Sequence, residues 1–513
     1  MSTRAASDLL IHVDPNSRHT LQQQIYEGIR RAILTGLVKP GARLPSSRVL
    51  AADLGVCRET SLFAFDQLIA EGYVVTRPGA GTYVAPDLPD DLPRVSDAWR
   101  RPTTRHPPLS ARATALAGTR PRAWRLPGPP RPFRIGTPAV DLLPVTLWSQ
   151  LTTRRQRSAS PSQFDYGDWP PLREAIAAHL RSARGTQCSA EQVLIVAGAQ
   201  AGLDLMARLL LDPGDAVWME EPGYPGAQSA LIAAGARLVP VPVDDDGLDV
   251  EAGIRRARDA RLAYVTPSHQ FPLGVVMSLP RRLALLKWAS AAEAWVVEDD
   301  YDSEFRYGTR PVPCLHGLDV DNRVIYVGTF SKSLFPALRL GFVIVPRDLQ
   351  ERLVGARRAL DFQPPVLNQA VLADFMAEDH YERHLRRMRA AYRERLDAMV
   401  SAAARYCGGA LRVRPVLTGL HAVADLDEVH DGRVAREAIA RGVEAMPLSM
   451  YASDSSDYNN SREHGGANGL LLGFAPIRPD DAADGMRRLA ASIEAARSAR
   501  RRAEPAAVRL VRA

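Results

Sequence analysis

Leu21, Ile25, Ile29 and Ile33 recur at every fourth position with polar residues between them, which predicts one apolar face on a helix. Pro40-Gly41 ends that pattern. A second helix is predicted from Leu44 to Leu54, with Pro45 or the serines at its start. Gly55 makes a tight turn, and a third helix is predicted from Arg58 to Ala70. Tyr73-Val-Val-Thr and Thr82-Tyr-Val then read as two strands around a glycine turn, Arg77-Pro-Gly-Ala-Gly81. Residues 87–131 crowd prolines and arginines without apolar periodicity and predict a linker too proline-rich for a stable helix. From 132 to 496, β-branched runs alternate with longer Ala/Leu/Arg-rich stretches. Val193-Leu-Ile-Val, Ala216-Val-Trp-Met, Leu262-Ala-Tyr-Val, Trp295-Val-Val and Val324-Ile-Tyr-Val are the predicted strands. Strands separated by helices predict a mainly parallel sheet in an α/β domain.

Length and composition fit this division. A chain of 513 residues exceeds one ordinary core, and 46% hydrophobic with 24% charged residues is a soluble globular balance. No apolar run is long enough to span a membrane, and the first residues lack the apolar core of a secretory signal. Cys57, Cys188, Cys314 and Cys407 are scattered, without CxxC spacing. A reduced, cytoplasmic protein with no metal site is expected. Basic excess collects outside the large zone: the linker holds nine arginines against four aspartates, and the tail 497–513 six arginines against one glutamate. That suits a polyanion partner without specifying one.

Helix, glycine turn, helix and glycine-tipped hairpin over residues 1–86 is the layout of a winged helix-turn-helix, mainly α with a β-wing. The helix beginning at Arg58 is the one expected to enter a major groove of operator double-stranded DNA. Ser46, Thr60 and the helix-start amides are expected to bind phosphates, and Arg43, Arg48 and Arg58 to supply the salt-sensitive attraction. Gly79 and Gly81 would let the wing tip approach the backbone closely. The stretches Arg43-Leu-Pro-Ser-Ser-Arg48, Leu54-Gly-Val-Cys-Arg-Glu-Thr60 and Arg77-Pro-Gly-Ala-Gly-Thr-Tyr-Val84 resemble the GntR family of bacterial transcription regulators. Cys57 departs from that pattern, where Ser or Thr is usual.

Only Lys39, Lys287 and Lys332 among 65 basic residues are lysines. A chain so biased to arginine keeps lysine where a guanidinium fails, and an imine with an aldehyde is such a place. Lys332 lies in Thr329-Phe-Ser-Lys-Ser-Leu-Phe-Pro-Ala-Leu-Arg339, downstream of Val296-Val-Glu-Asp-Asp-Tyr301. That order reads as the aldimine lysine of a pyridoxal 5′-phosphate site. Asp299 at a strand end is the carboxylate expected opposite the ring nitrogen, with Asp300 the alternative. Tyr301 is the expected donor to the phenolic oxygen, and Tyr224 is expected to stack on the ring. Ala199 and Gln200, following Gly198 at a helix start, are expected to bind the phosphate with Thr329 and Arg339.

Asp168 with Pro171-Leu-Arg-Glu-Ala-Ile176, Gly198-Ala-Gln-Ala-Gly-Leu203, Glu221-Pro-Gly-Tyr-Pro, Glu298-Asp-Asp-Tyr and Ser331-Lys332 recur in this order in fold-type I aminotransferases, which these stretches resemble. That resemblance implies a pyridoxal-phosphate fold with a smaller C-terminal α+β subdomain, about 380–496. It also implies a homodimer, because Tyr166 matches a tyrosine that reaches the neighbouring subunit's phosphate. Joined to the front domain, and with Thr266-Pro-Ser-His-Gln-Phe-Pro-Leu-Gly274, the chain resembles the MocR subfamily of GntR regulators (GabR- and PdxR-like). Phe271 stands where aminotransferases usually have an asparagine for the ring oxygen. Leu471 stands where they clamp the substrate carboxylate with an arginine, unless Arg478 substitutes. Gly226 stands where GABA-type sensors have an arginine. Losing one bidentate ion pair costs about 2–4 kcal/mol. The resemblance thus implies first a regulator sensing the coenzyme and controlling vitamin B6 (pyridoxine) synthesis. Second comes a sensor of an amine such as GABA or taurine, and third an active aminotransferase with an appended DNA-binding domain.

Overall fold

The computed structural model describes residues 11–15, 17, 19–89, 108–119, 128–158, 169–308, 312–360, 364–452 and 468–503. Tyr166, Asp168, the polar loop 453–467 and the tail beyond 503 lie outside the described residues. The chain divides into two compact units after Pro108.

The first unit is built from α1 (Leu21–Leu34), α2 (Ser47–Leu54), α3 (Arg58–Ala70) and a hairpin of β1 (Val74–Arg77) and β2 (Gly81–Val84). Thr20 and Gln23 form a reciprocal cap on α1, and Ser46 accepts the Val49 amide at the start of α2. Gly55 turns α2 into α3 through a left-handed conformation, φ 65°. Of the predicted stripe, Leu21 at the start of α1 is only partly buried, while Ile25, Ile29 and Ile33 are buried against Leu50, Phe65, Leu68 and Val74. Each such burial is worth about 1.5–3 kcal/mol.

One expectation for the linker fails. Ala111–Gly118 is a helix, α4, within the stretch predicted to hold none. Its sequence, Ala-Arg-Ala-Thr-Ala-Leu-Ala-Gly, is the proline-free island of that region, and Ser110 caps it by accepting the Ala113 amide. Thr119 then reaches the Ser229 hydroxyl at 2.8 Å, so α4 belongs to the second unit.

The second unit is centred on an eight-stranded sheet. Its strands are β3 (Val193–Val196), β4 (Ala216–Glu221), β5 (Arg237–Asp244), β6 (Gly247–Leu248), β7 (Leu262–Val265), β8 (Trp295–Asp300), β9 (Val324–Thr329) and β10 (Gly341–Ile344). The order is β3-β10-β9-β8-β7-β4-β5-β6. β4, β7, β8 and β9 run parallel, as predicted, and are joined by a parallel β5 that was not predicted. β10 was not predicted; it runs antiparallel between β3 and β9. Glycines permit its close seat, since a Cβ on Gly341 would lie 2.8 Å from the Gly328 carbonyl oxygen and 3.0 Å from Gly198. Both faces of the sheet are apolar and covered. A second sheet orders β11 (Leu411–Val413), β12 (His421–Leu426), β14 (Gly469–Gly473) and β13 (Met446–Pro447), all antiparallel. Helices His380–Cys407 and Pro479–Ala503 accompany it, giving the smaller α+β subdomain.

Candidate coenzyme site and nucleic-acid interface

Lys332 lies three residues beyond β9, and its ammonium donates to the Gly136 carbonyl at 2.8 Å. Asp299 and Asp300 are neighbours on β8, so the pleat sends them to opposite faces of the sheet. Asp299 Oδ2 accepts the Tyr264 hydroxyl at 2.8 Å, whereas Oδ1 is buried with no hydrogen-bond partner. Burial pushes the Asp299 carboxyl up to about 7; the Tyr264 hydroxyl and the Lys332 charge work in the other direction. Asp300 is held instead by Arg184 at 2.6 Å and by the Tyr326 hydroxyl at 2.6 Å. Both carboxylates keep one buried unpartnered oxygen; Asp299 is the one that feels the Lys332 charge, whereas Asp300 is already paired with a guanidinium.

Gly198, at φ 87°, opens helix Ala199–Leu210 without a side-chain cap, so the amides of Ala199 and Gln200 head the helix. Arg339 lies against this start. Its Nη2 donates to the Ala197 carbonyl at 2.7 Å, and a Cβ on Gly198 would come within 3.3 Å of Nη1. The Thr329 hydroxyl accepts the Ser331 amide at 3.2 Å and sits at the end of β9. The Gln200 side chain turns away to donate to the Gly226 carbonyl at 2.8 Å, leaving its backbone to serve an anion. A Cβ on Gly226 would lie 2.4 Å from the Tyr224 ring and 2.5 Å from Gln200 Oε1, which leaves no room for a side chain there.

Tyr224 meets Phe271 edge to face at 5.6 Å, and Phe271 also contacts the rings of Tyr301, His421 and Tyr451 at 6.3, 5.7 and 5.1 Å. Phe271 packs in one apolar cluster with Leu471, Val423, Leu448 and Tyr451. Leu471 is fully buried in β14. Arg478, the possible substitute cation, is exposed and paired with Asp481 at 2.9 Å.

The Tyr301 hydroxyl does not stand open as expected. It donates to the His269 carbonyl at 2.8 Å and lies 3.0 Å from His269 Nδ1. That imidazole also bonds both Asp302 oxygens at 3.1 Å, and the His421 ring lies 4.6 Å away. Burial first, then His269 and Lys332, hold the His421 pKa well below the ordinary histidine range, so it is neutral. His269, Asp302 and His421 are of metal-ligating type with ligand atoms within 4.8 Å of one another, yet each is already hydrogen-bonded. Sequence reasoning passed over these three, together with Tyr264 and Gly136. His269 stood in the segment 266–274 already singled out, but nothing there announced its partner Asp302.

A protonated ring nitrogen matches the orphaned Asp299 Oδ1, an aldehyde matches the Lys332 amine, and a phosphate matches the cradle that a Cβ at Gly198 would crowd. The residues present fit pyridoxal 5′-phosphate.

In the first unit Arg43, Arg48, Ser46 and Arg58 are exposed, and Thr60 is partly so. The Ser46 oxygen is engaged as the cap of α2, which leaves its proton for an anion. The Thr60 hydroxyl lies 2.9 Å from Cys57 Sγ. Gly79 and Gly81 adopt φ 74° and 114° at the wing tip, where a Cβ on Gly81 would press on Arg43 Nε at 3.0 Å. Arg77 stacks over the Tyr83 ring at 4.7 Å on the same wing, an added cation that the sequence reading left out.

Two family models match the chain: "Aminotransferase class I and II" over residues 135–456 and "Bacterial regulatory proteins, gntR family" over 21–84. The chain is 40% identical to the probable rhizopine catabolism regulatory protein MocR of Rhizobium meliloti, over 94% of this chain and 95% of that one. It is 33% identical to the pyridoxine biosynthesis transcriptional regulator PdxR of Corynebacterium glutamicum, covering 91% and 95%. It is 36% identical to the regulator TauR of Rhodobacter capsulatus, covering 76% and 80%. Among solved structures it is similar to LysN, the α-aminoadipate aminotransferase of Thermus thermophilus, in complex with N-(5′-phosphopyridoxyl)-L-leucine. That match has a TM-score of 0.63 and 30% identity, over 71% of this chain and 92% of that one. The chain belongs to the MocR subfamily of GntR-family transcription regulators, a winged helix-turn-helix joined to a fold-type I aminotransferase domain.

Proposed function

We propose that this protein is a cytoplasmic, homodimeric DNA-binding regulator that captures pyridoxal 5′-phosphate through Lys332 and thereby controls genes of vitamin B6 synthesis. The observation that carries this reading is the apolar cluster of Phe271 and Leu471 where an aminotransferase needs a cation for its substrate's carboxylate. Arg478 is exposed and spent on Asp481, and Gly226 has no space for a side chain. Without such a clamp, orientation of an amino acid for turnover is lost. PdxR of C. glutamicum, named for pyridoxine biosynthesis, supports the choice of effector.

When bound, the coenzyme supplies an aldehyde and an electron-withdrawing pyridinium. Lys332 would provide the amine, and Asp299 would accept the N–H of the protonated ring nitrogen. Arg339, Thr329 and the amides of Ala199 and Gln200 would hold the phosphate, and Tyr224 would cover the ring. Tyr301 would exchange its bond to the His269 carbonyl for one to the phenolic oxygen. Regulation requires that the coenzyme bind two conformations unequally and that only one of them hold Arg43, Arg48 and Arg58 against operator DNA.

The test is an absorption spectrum before and after borohydride, followed by peptide mapping and a DNA-binding assay. The expected result is visible absorbance fixed by borohydride on Lys332, and a coenzyme-dependent change in operator affinity. Lys332→Ala should lose both, and a Lys332→Ala protein that still answers the coenzyme overturns the reading. A second reading, a regulator answering a small amine, is favoured by the 40% identity to a rhizopine catabolism regulator and by the likeness to TauR. It predicts that the coenzyme alone leaves operator affinity unchanged until an amine is added.

A further inference from the structure

The cavity of interest in the second unit does not sit against Lys332. A space of about 230 Å³ lies on the Asp300 face of β8, between the end of the sheet, helix Pro170–Arg184 and helix His380–Cys407. Of the coenzyme-site candidates among the described residues, Thr329 and the alternative carboxylate Asp300 touch its wall, while Lys332, Asp299, Tyr301, Tyr224, Ala199, Gln200 and Arg339 do not. It exceeds the ~150 Å³ of an engineered cavity that accepts benzene. Tyr326, Phe330, Phe342 and Tyr381 make its walls aromatic, and exposed Ala183 lines it.

Three buried polar atoms on its lining residues have no hydrogen-bond partner: Asp300 Oδ1, Glu304 Oε2 and Arg184 Nε. Asp300 and Arg184 are more than nine-tenths buried and paired with each other. Among the described residues Glu304 is in no such ion pair. Arg389 donates to the Glu304 main-chain carbonyl rather than its carboxylate, and the His179 ring is committed to Glu382. Two carboxylate acceptors are therefore open in a largely apolar chamber, and unsatisfied buried acceptors of this kind are costly. Arg306 and Arg389 also line the chamber, but they donate to the main-chain carbonyls of Ser303 and Glu304. A ligand with several N–H donors and a positive charge answers both carboxylates, and the aromatic walls favour the same charge.

We infer that this cavity is a second ligand site, distinct from the coenzyme site, for a small organic cation with N–H donors on an apolar or aromatic body. Its ligand would bear on Asp300 while the coenzyme bears on Asp299, one residue away on the same strand. It would also touch helix His380–Cys407, which leads into the smaller sheet.

The experiment is isothermal titration calorimetry of the full chain with benzamidinium, whose delocalised nitrogens are poor partners for an aldehyde. The expected result is saturable binding at one site per chain, unchanged by saturating pyridoxal phosphate. Glu304→Gln should weaken it at least tenfold, and Ala183→Phe, which fills the cavity from an exposed position, should abolish it. Circular dichroism checks that each variant is folded; should Glu304→Gln fail to fold, Ala183→Phe decides. No saturable binding, equal affinity in both variants, or displacement by pyridoxal phosphate each overturns the inference. Because binding is measured with and without coenzyme, a failed coenzyme reading and a failed cation site give different records.

Discussion

In the first unit Arg43, Arg48 and Arg58 are exposed, and their charges wait in water for an anion. In the second, burial pushes the Asp299 carboxyl up to about 7 and leaves its Oδ1 without a partner. The contrast follows from what each unit has to recognise. A polyanion is gripped by mobile surface charges at little cost to the fold. A small coenzyme is gripped by groups held dry and underused before it arrives, which destabilises the empty protein. Exposed charges should therefore be cheap to remove and salt-sensitive, whereas buried ones should trade stability against binding.

Asp299→Asn gives the largest expected effect and tests that trade directly. Asparagine cannot hold the ring nitrogen in its protonated form, and losing a buried charge-assisted contact costs about 3 kcal/mol, roughly a hundredfold in coenzyme affinity. Without coenzyme the same change should stabilise the protein. The folded Asp299 carboxyl keeps its proton to about 7, while in the unfolded chain it releases it near 4. The folded state therefore binds the extra proton between those values, and the carboxyl's contribution to stability falls as pH rises through that window. Parent and variant should be nearly equal at pH 4.5, with the variant ahead by about 2 kcal/mol at pH 7.5. Urea unfolding at both values measures this, and a parent that gains on the variant as pH rises breaks the comparison.

The opposite behaviour is expected at the surface. Arg58→Ala, Arg43→Ala or Arg48→Ala should each weaken DNA binding by about 1 kcal/mol and lower the slope of log affinity against log salt by about 0.9. Phosphate contacts act alike on every sequence, so operator and unrelated DNA should lose equally for Arg43 and Arg48. Arg58 opens the helix expected in the groove and should lose more on operator. Fluorescence anisotropy across a salt series separates the cases; an unchanged slope removes that arginine from the interface.

The two units also differ in how far their sequences revealed them. Repeats of four (Ile25, Ile29, Ile33) and glycine punctuation placed the described elements of the first unit, because each element's periodicity and its stops lie within its own short segment. In the second, the five β-branched runs were legible as strands, but β5, β6 and β10 of the same sheet were not. Gly-Phe-Val-Ile acquires its place only through the distant glycines 198 and 328, which admit a strand at contact distance. Lysine scarcity singled out Lys332, and strand parity favoured Asp299 over Asp300, which the pleat of β8 sends to opposite faces. The His269–Asp302 pair around Tyr301 was hidden because its members are 33 residues apart and meet only through folding. The same holds for Glu304, whose missing partner is a property of a cavity rather than of a motif.

Cys57 offers the smallest and sharpest test of the local side of this contrast. Ser46 and Cys57 both stand at helix N-caps in extended conformation, yet only Ser46 accepts an amide from the helix it opens. The thiol lies against the Thr60 hydroxyl at 2.9 Å, and that contact lowers its pKa from the ordinary cysteine value. Sulfur is a weak acceptor, so the cap of α3 is weaker than the oxygen cap of α2. Cys57→Ser restores an oxygen at the cap and should stabilise the first unit by about 0.5–1 kcal/mol, read as a small rise in its melting temperature. It also returns the residue type usual in the family at the start of the groove-facing helix, so operator affinity should rise slightly with stability. A serine variant no more stable than the parent would mean that the Cys57–Thr60 contact already does the work of a cap.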